Sequence, residues 1–128
     1  MRPPTQRALA KYLSTSIILP SQESLKPLRF VGSTQHDLRR FPDEARQHAG
    51  YELDQIQRGR MPSDFRPLLN VGPGAYEIRI HARGEWRVVY VAKFADAIYV
   101  LHAFQKKTQK TSKEDIELAA CRYRQITE

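Results

Sequence analysis

Basic and amide side chains follow directly after a strand-like apolar segment near the C-terminal end of the chain. The segment Leu101–Phe104 runs into Gln105–Thr111, which holds three lysines and two glutamines. Glu114 comes three positions after Thr111, and a hydroxyl and an acid at that spacing form a capping box at a helix N-terminus. Helix amides and ammonium groups would then converge on one anion, which favours a phosphate site. A lysine-rich loop that only faces solvent is the alternative.

Two arginines form a second candidate site on an expected β-hairpin. Apolar and polar residues alternate along Tyr76–Ile80 and again along Trp86–Tyr90, which predicts two strands with one buried face each. A three-residue loop, Ala82–Gly84, would end in glycine, the residue type that a left-handed backbone prefers. That register places Arg79 directly opposite Arg87 and turns both away from the buried face.

An arginine pair of this kind is unfavourable unless something compensates the two charges. Like charges opposite each other on antiparallel strands cost about 0.2–1 kcal/mol. An anion bound between Arg79 and Arg87 would reverse that sign, so we expect the pair to clamp a phosphate group. The alternative is that each arginine pairs with Glu77 or Glu85 as an ordinary surface ladder.

His81 and His102 are the candidate proton carriers, because histidine titrates closest to neutral pH. His102 lies in the apolar stretch 97–104, so a buried core histidine is an equally good interpretation. The spacing of the His, Asp and Glu residues resembles no metal site, and the single Cys121 excludes a cysteine-built zinc site or an internal disulfide. We therefore expect chemistry without a metal or other cofactor.

The composition indicates one folded domain with a polyanionic partner. The chain has 128 residues and a formal net charge of +7, which favours nucleic acid or an acidic protein as the partner. No apolar run approaches the roughly 20 residues of a membrane span, so we expect no membrane association and a cytoplasmic location. Residues 1–25 are expected to be an extension or linker, with either a short helix at Thr5–Leu13 or a loose likeness to a transit peptide.

Patterning along the rest of the chain predicts an α+β domain. Helices are expected at 34–40 and 42–58, which would form a helical hairpin, and at 113–126. Strands are expected at 28–31, 76–80, 86–90 and 97–104, with a short extended piece at 65–69. The expected architecture is an N-terminal helical hairpin packed on a small antiparallel sheet and closed by a C-terminal helix.

Four segments of the chain resemble the phage-derived, HigB-like branch of the RelE superfamily of toxins. They are Leu28–Ser33, Gly74–Arg79, Trp86–Tyr90 and Tyr99–Thr111. The resemblance extends over about residues 26–125, and we expect residues 26–128 to form the toxin domain. It implies a RelE-like fold and the role of toxin in a type II toxin–antitoxin system.

The resemblance also implies an activity and its partners. Nucleolytic members of the superfamily are endoribonucleases, called mRNA interferases, that cut messenger RNA in the decoding site of the ribosome. Each is held inactive by a cognate antitoxin, whose gene we expect beside this one. ParE-like toxins share the fold but poison DNA gyrase, so a non-nucleolytic toxin stays an alternative, as does a nucleic-acid-binding module without catalysis.

Carried over position by position, the resemblance identifies a basic site made of Arg79, Arg87 and either Lys106 or Lys107. Together with the residues considered above, the expected catalytic residues are Arg79, Arg87, His102, Lys106 and Lys107, and the expected RNA contacts are His81, Arg83, Gln109 and Lys110. One departure is Glu77, which stands where RelE itself often has a basic residue. A tyrosine that RelE carries near its last helix has no clear counterpart, so the proton carriers are less well defined than the phosphate ligands.

Overall fold

The computed structural model describes residues 25–127 of the chain. The helix expected at Thr5–Leu13, and nearly all of the expected extension, lie outside these residues. The described elements are β1 (Leu28–Phe30), α1 (Thr34–Arg39), α2 (Asp43–Gln57), β2 (Phe65–Pro67), β3 (Ala75–His81), β4 (Glu85–Val91), β5 (Ile98–Gln105) and α3 (Lys113–Thr127). The predicted α+β class and the order of the elements are confirmed.

The five strands form one sheet in the order β1-β5-β4-β3-β2. Strands β2 to β5 pair antiparallel, whereas β1 pairs parallel with β5 along the other edge. The sheet is therefore mixed, and the expectation of a wholly antiparallel sheet is wrong at this one strand. A three-residue strand carries too little pattern to specify its direction.

Alternation along the strands divides the sheet into two covered faces. The first, which we call the α1–α2 face, packs Ile78, Ile80 and Val88 against apolar residues of α1 and α2. The second, the α3 face, packs Val89 and other apolar side chains against α3. Polar residues that alternate with the first apolar set, such as Arg79, consequently belong to the α3 face.

A β-bulge in β5 decides which side chains reach α3. Val89 pairs with His102 and Tyr90 pairs with Val100, so Leu101 is an extra residue in β5. Because a bulge interrupts the alternation, two consecutive residues can turn to the same face. Leu101 packs in the α3 cluster, and His102 bonds to Asp115 of α3.

The hairpin between β3 and β4 has the predicted register. Arg79 pairs with Arg87, and His81 pairs with Glu85. The loop contains two residues with left-handed backbones, Arg83 with φ 55° and Gly84 with φ 121°. The predicted three-residue loop and its glycine are confirmed, and the alignment of the two arginines depends on this turn.

Substitutions in the turn test this description. Gly84→Ala should lower the free energy of unfolding by about 1–2 kcal/mol, because the backbone is strained for alanine and the new Cβ would lie 3.2 Å from Gln105 Nε2. Arg83→Gly should change it by less than about 0.5 kcal/mol, since relief of strain offsets the added chain entropy. Urea unfolding measures both, and equal effects would contradict the loop geometry.

Candidate functional site

The α3 face of the β-hairpin, near its turn, holds Arg79 beside a histidine and two carboxylates. Arg79 Nε lies 3.8 Å from Asp64 Oδ1, and its side chain is 38% exposed. His81 Nε2 lies 2.7 Å from Asp64 Oδ2, and His81 Nδ1 lies 2.8 Å from Glu85. Both ring nitrogens can donate to carboxylates only when the imidazole is charged. Arg79 and His81 are therefore partly exposed cations, each paired with a carboxylate.

The carboxylates shift the titration of this cluster. The hydrogen bond to Asp64, and then that to Glu85, raises the pKa of His81 above its ordinary range. In return, His81 lowers the pKa of both Asp64 and Glu85. The cluster thus favours a charged imidazole between two charged carboxylates.

Arg87, unlike Arg79, is buried and paired. Its side chain is 3% exposed, and Nη1 donates to Glu85 Oε1 at 3.1 Å and to the Trp86 carbonyl at 2.9 Å. Nε lies 3.8 Å from Glu77 Oε1, yet this buried donor has no hydrogen-bond partner among residues 25–127. Arg87 is thus paired with Glu77 and Glu85, which is the alternative to phosphate binding that the sequence left open. A phosphate group would reach it only after a rearrangement.

An unsatisfied buried donor is itself informative. Leaving such a group without a partner typically costs about 1–3 kcal/mol, so folded proteins contain few of them. Among residues 25–127 the orphaned side-chain atoms are His102 Nδ1 and Arg87 Nε, and Arg87 is one of the two residues that sequence reasoning assigned to phosphate binding. Arg87 keeps hydrogen-bonding capacity that its glutamate partners do not use.

Glu77 links the arginines to the lysine-rich loop. Its carboxylate is buried, and Oε1 lies 3.4 Å from Arg66 Nε and 3.8 Å from Arg87 Nε. Thr111 Oγ1 donates to Oε2 at 2.7 Å. Sequence reasoning noted Glu77 as a departure and a possible arginine partner but missed this central position. The available signal was its place two residues before Arg79, on the same strand face.

The lysine-rich loop, residues 106–112, connects β5 to α3 and bonds to β3 through one side chain. It leaves β5 where Lys106 N donates to the Glu85 carbonyl at 2.7 Å, and it reaches Glu77 of β3 through Thr111. Since β4 lies between β5 and β3, the bond from Thr111 to Glu77 spans β4 on the α3 face. Within it, Lys106 Nζ donates to the Gln109 carbonyl at 2.5 Å.

The residues at the outer side of this loop face solvent. Lys107, Gln109 and Lys110 are all exposed. The structure therefore keeps two of the three predicted lysines available to a ligand, while the ammonium group of Lys106 is engaged within the loop.

The predicted capping box is wrong by one position. Helix α3 begins at Lys113, and Ser112 Oγ accepts a hydrogen bond from Asp115 N at 3.1 Å. The acid partner is consequently Asp115, not Glu114, and the Thr111 hydroxyl bonds to Glu77 instead. The Ser112 hydroxyl thus satisfies one of the first-turn helix amides, that of Asp115, which is therefore not available to an anion.

His102 connects β5 to the start of α3. It is 6% exposed, its ring stacks on Phe104 with centroids 4.6 Å apart, and Nε2 lies 2.7 Å from Asp115 Oδ1. Burial lowers the pKa of His102, and the hydrogen bond to Asp115 opposes that shift. His102 is thus buried, one of the two interpretations that the sequence left open. Its bond to Asp115 holds the N-terminus of α3 against the sheet.

Arg83 is the predicted RNA contact that the structure separates from the others. Its exposed side chain approaches Glu44 of α2 at 3.6 Å, on the side of the α1–α2 face. The other predicted RNA contacts belong to the site: His81 lies on the α3 face of the hairpin, and Gln109 and Lys110 lie in the lysine-rich loop. Among residues 25–127, the acidic, histidine and cysteine side chains form no cluster of three suited to a metal ion.

Comparison with known proteins adds the family. A family model described as "Phage derived protein Gp49-like (DUF891)" matches residues 36–124. The chain belongs to this Gp49-like family. A structure of an arginine-to-alanine double mutant of the Escherichia coli toxin RelE, in the free state, superimposes with a TM-score of 0.55 at 16% identity. The alignment covers 73% of this chain and 96% of that one.

These matches confirm that the Gp49-like chain belongs to a phage-derived family and has the predicted RelE fold. No curated protein matches the sequence. In the described part of the chain, no helix combines the length and apolar character that a membrane crossing requires.

The two site histidines should titrate on opposite sides of their ordinary pKa of 6.5, His81 above and His102 below. The ion pairs of His81 contribute stability that is complete below pH 6.5 and lost as the pH rises through its folded-state pKa. His102 contributes the reverse, because stability is lost as the pH falls from 6.5 toward its lowered value.

NMR titration of the imidazole resonances measures both values. Asp64→Asn should move the pKa of His81 back toward the ordinary value and leave that of His102 unchanged. A single shared pKa for the two rings would contradict the assigned environments.

Proposed function

We propose that this Gp49-like protein is the toxin of a type II toxin–antitoxin pair and cleaves messenger RNA on the ribosome. The observation that carries the proposal is the placement of Arg79 opposite Arg87, beside the lysine-rich loop. Family membership and the RelE fold support the toxin role. The net charge of +7 supports a polyanionic substrate.

The proposed reaction needs no metal, because the 2′-OH of the substrate attacks the adjacent phosphorus. The protein must align that attack and stabilise the charge that grows on the phosphoryl oxygens. Arg79 is half-exposed and can contact a non-bridging oxygen directly, and Lys107 and Lys110 add positive potential. Arg87 is assigned to the same phosphate, which it contacts after leaving Glu77.

His81 is the better placed of the two proton carriers. Its imidazole is exposed and charged, so Nε2 can donate a proton to the leaving 5′ oxygen once that oxygen replaces Asp64 as its partner, while Glu85 holds Nδ1. The catalytic role predicted for His102 stays a prediction, since its burial and its bond to Asp115 favour a positioning role. Lys106 also stays a predicted catalytic residue whose ammonium group must first leave the Gln109 carbonyl.

A cognate antitoxin is the proposed protein partner. A surface that carries Arg79, Lys107 and Lys110 attracts acidic segments, and a bound acidic segment would exclude RNA from the same positions. The proposed toxin domain spans residues 26–128.

One observation favours a second candidate, a ParE-like toxin that inhibits a protein target without cutting RNA. Each arginine of the hairpin pair already has a carboxylate within 4 Å, Asp64 for Arg79 and Glu77 with Glu85 for Arg87. A protein-binding surface could contact its partner without breaking these ion pairs, whereas phosphate binding by Arg87 requires them to rearrange. The two candidates differ in whether translated messenger RNA is cut.

Removing Arg79 tests the nucleolytic proposal. Arg79→Ala should lower the single-turnover rate of messenger RNA cleavage on purified translating ribosomes by about 100-fold, as expected for a lost donor to the transition state. Arg39→Ala removes the same charge from α1, which packs on the opposite face, and should cleave at the wild-type rate. Equal rates for Arg79→Ala and wild type would overturn the site, and intact messenger RNA with the wild-type protein would favour the ParE-like candidate.

Lys110 is expected to contribute to binding alone. Lys110→Ala should reduce the slope of log affinity against log salt by about 0.7, the value for one phosphate contact on single-stranded RNA. The cleavage rate at saturation should stay within about twofold of wild type. Binding to programmed ribosomes across a salt series measures the slope, and an unchanged slope would remove Lys110 from the interface.

A further inference from the structure

We infer that the hydrogen bond from Thr111 to Glu77 is a latch that holds the lysine-rich loop over Arg87, and that Arg87 becomes available to a phosphate group only when this latch opens. The inference rests on the proposed function for the identity of the ligand. The latch itself is a property of the free protein. It adds Thr111 and Glu77 to the site as positioning residues.

The path of the chain carries the first step. Lys106 is fixed to the Glu85 carbonyl of β4, and Ser112 is fixed at the start of α3 by Asp115. Between these fixed ends, the Thr111 hydroxyl makes the side-chain contact from the loop to β3, 2.7 Å from Glu77 Oε2. A loop tied at both ends and closed by one side-chain bond can open locally without unfolding the sheet.

The state of Arg87 carries the second step. The side chain is 3% exposed, and its hydrogen bonds among residues 25–127 go to Glu85 and to the Trp86 carbonyl, both on its own strand. Its Nε is a buried donor without a partner there. An anion that entered beneath the loop would satisfy this donor. With the latch closed, Arg87 Nε makes no hydrogen bond. With the latch open, it would bond to the anion.

Glu77 supplies the third step, because it can release Arg87 without becoming an isolated charge. Its Oε1 is nearer to Arg66 Nε, at 3.4 Å, than to Arg87 Nε, at 3.8 Å. Arg66 is half-exposed on the edge strand β2, so it can follow the carboxylate. Phosphate would then replace Glu77 at Arg87, and Glu77 would stay paired with Arg66.

Chemical modification of Arg87 in the full-length protein without RNA tests the latch. Phenylglyoxal reacts with accessible guanidinium groups, and mass spectrometry reads each arginine separately, with exposed Arg39 and Arg60 as internal references. Thr111→Val removes the hydroxyl at nearly constant volume. It should raise the modification rate of Arg87 by about tenfold relative to the references, since the open population grows by the factor that the lost bond to a carboxylate contributes.

Three matched variants make the result specific. Thr108→Val removes a hydroxyl that bonds to the Lys110 carbonyl within the same loop, and it should leave the rate at Arg87 unchanged. Thr111→Ser keeps the hydroxyl and should react like wild type. Thr111→Ala replaces the valine variant if thermal melting shows that valine prevents folding.

Two outcomes would overturn the latch: an Arg87 rate in Thr111→Val equal to that of wild type, or a rate that rises equally for every arginine, which indicates general unfolding. Cleavage assays report separately on the proposed function. Selective exposure of Arg87 in a protein that cuts no RNA would retain the latch and reject the nuclease. Cleavage with an unresponsive Arg87 would do the opposite.

Discussion

The buried carboxylate of Glu77 is the interaction on which the rest of the site depends. A charged group that is 1% exposed is tolerable only when it is paired and hydrogen-bonded, and Glu77 meets this condition through Arg66, Arg87 and Thr111. These three partners come from β2, β4 and the lysine-rich loop. One side chain thus joins the sheet edge, the sheet centre and the loop that crosses them.

From Glu77 the charges alternate across the hairpin. Arg87 pairs with Glu77 and Glu85, and Glu85 also pairs with His81. His81 then pairs with Asp64, which is shared with Arg79. Because neighbouring members are coupled, removing one carboxylate leaves its cations uncompensated and alters the others. The order of charge is set by strand register, since a slip of one residue would turn the whole series to the α1–α2 face.

Those parts of the fold with strong local patterns could be predicted from the sequence. The register of β3 and β4 follows from alternation and from Gly84, so the facing arginines were predictable. The bulge at Leu101 was not, because the apolar run that contains it has no alternation to interrupt. The parallel direction of β1 was also not predictable, since three residues paired at a sheet edge do not specify whether a strand runs parallel or antiparallel.

The site itself shows where local reasoning ends. Thr111 with Glu114 and Ser112 with Asp115 are equivalent capping patterns in sequence. The Thr111 hydroxyl bonds to Glu77, which is distant in the chain, so Ser112 caps the helix instead. Glu77 reads as a solvent-facing strand residue until the loop folds over it. Arg87 and His102 are likewise buried beside carboxylates that lie ten or more positions away in the chain, Glu77 and Asp115, so local patterns do not reveal their environments.

The measurement that tests the central claim most directly is the chemistry of the ends produced when purified protein acts on messenger RNA in a reconstituted translation system. Attack by the 2′-OH predicts fragments with a 2′,3′-cyclic phosphate or 3′-phosphate and a 5′-hydroxyl, formed only when the messenger RNA is bound to ribosomes. Intact messenger RNA, or fragments with a 5′-phosphate and a 3′-hydroxyl, would contradict the account.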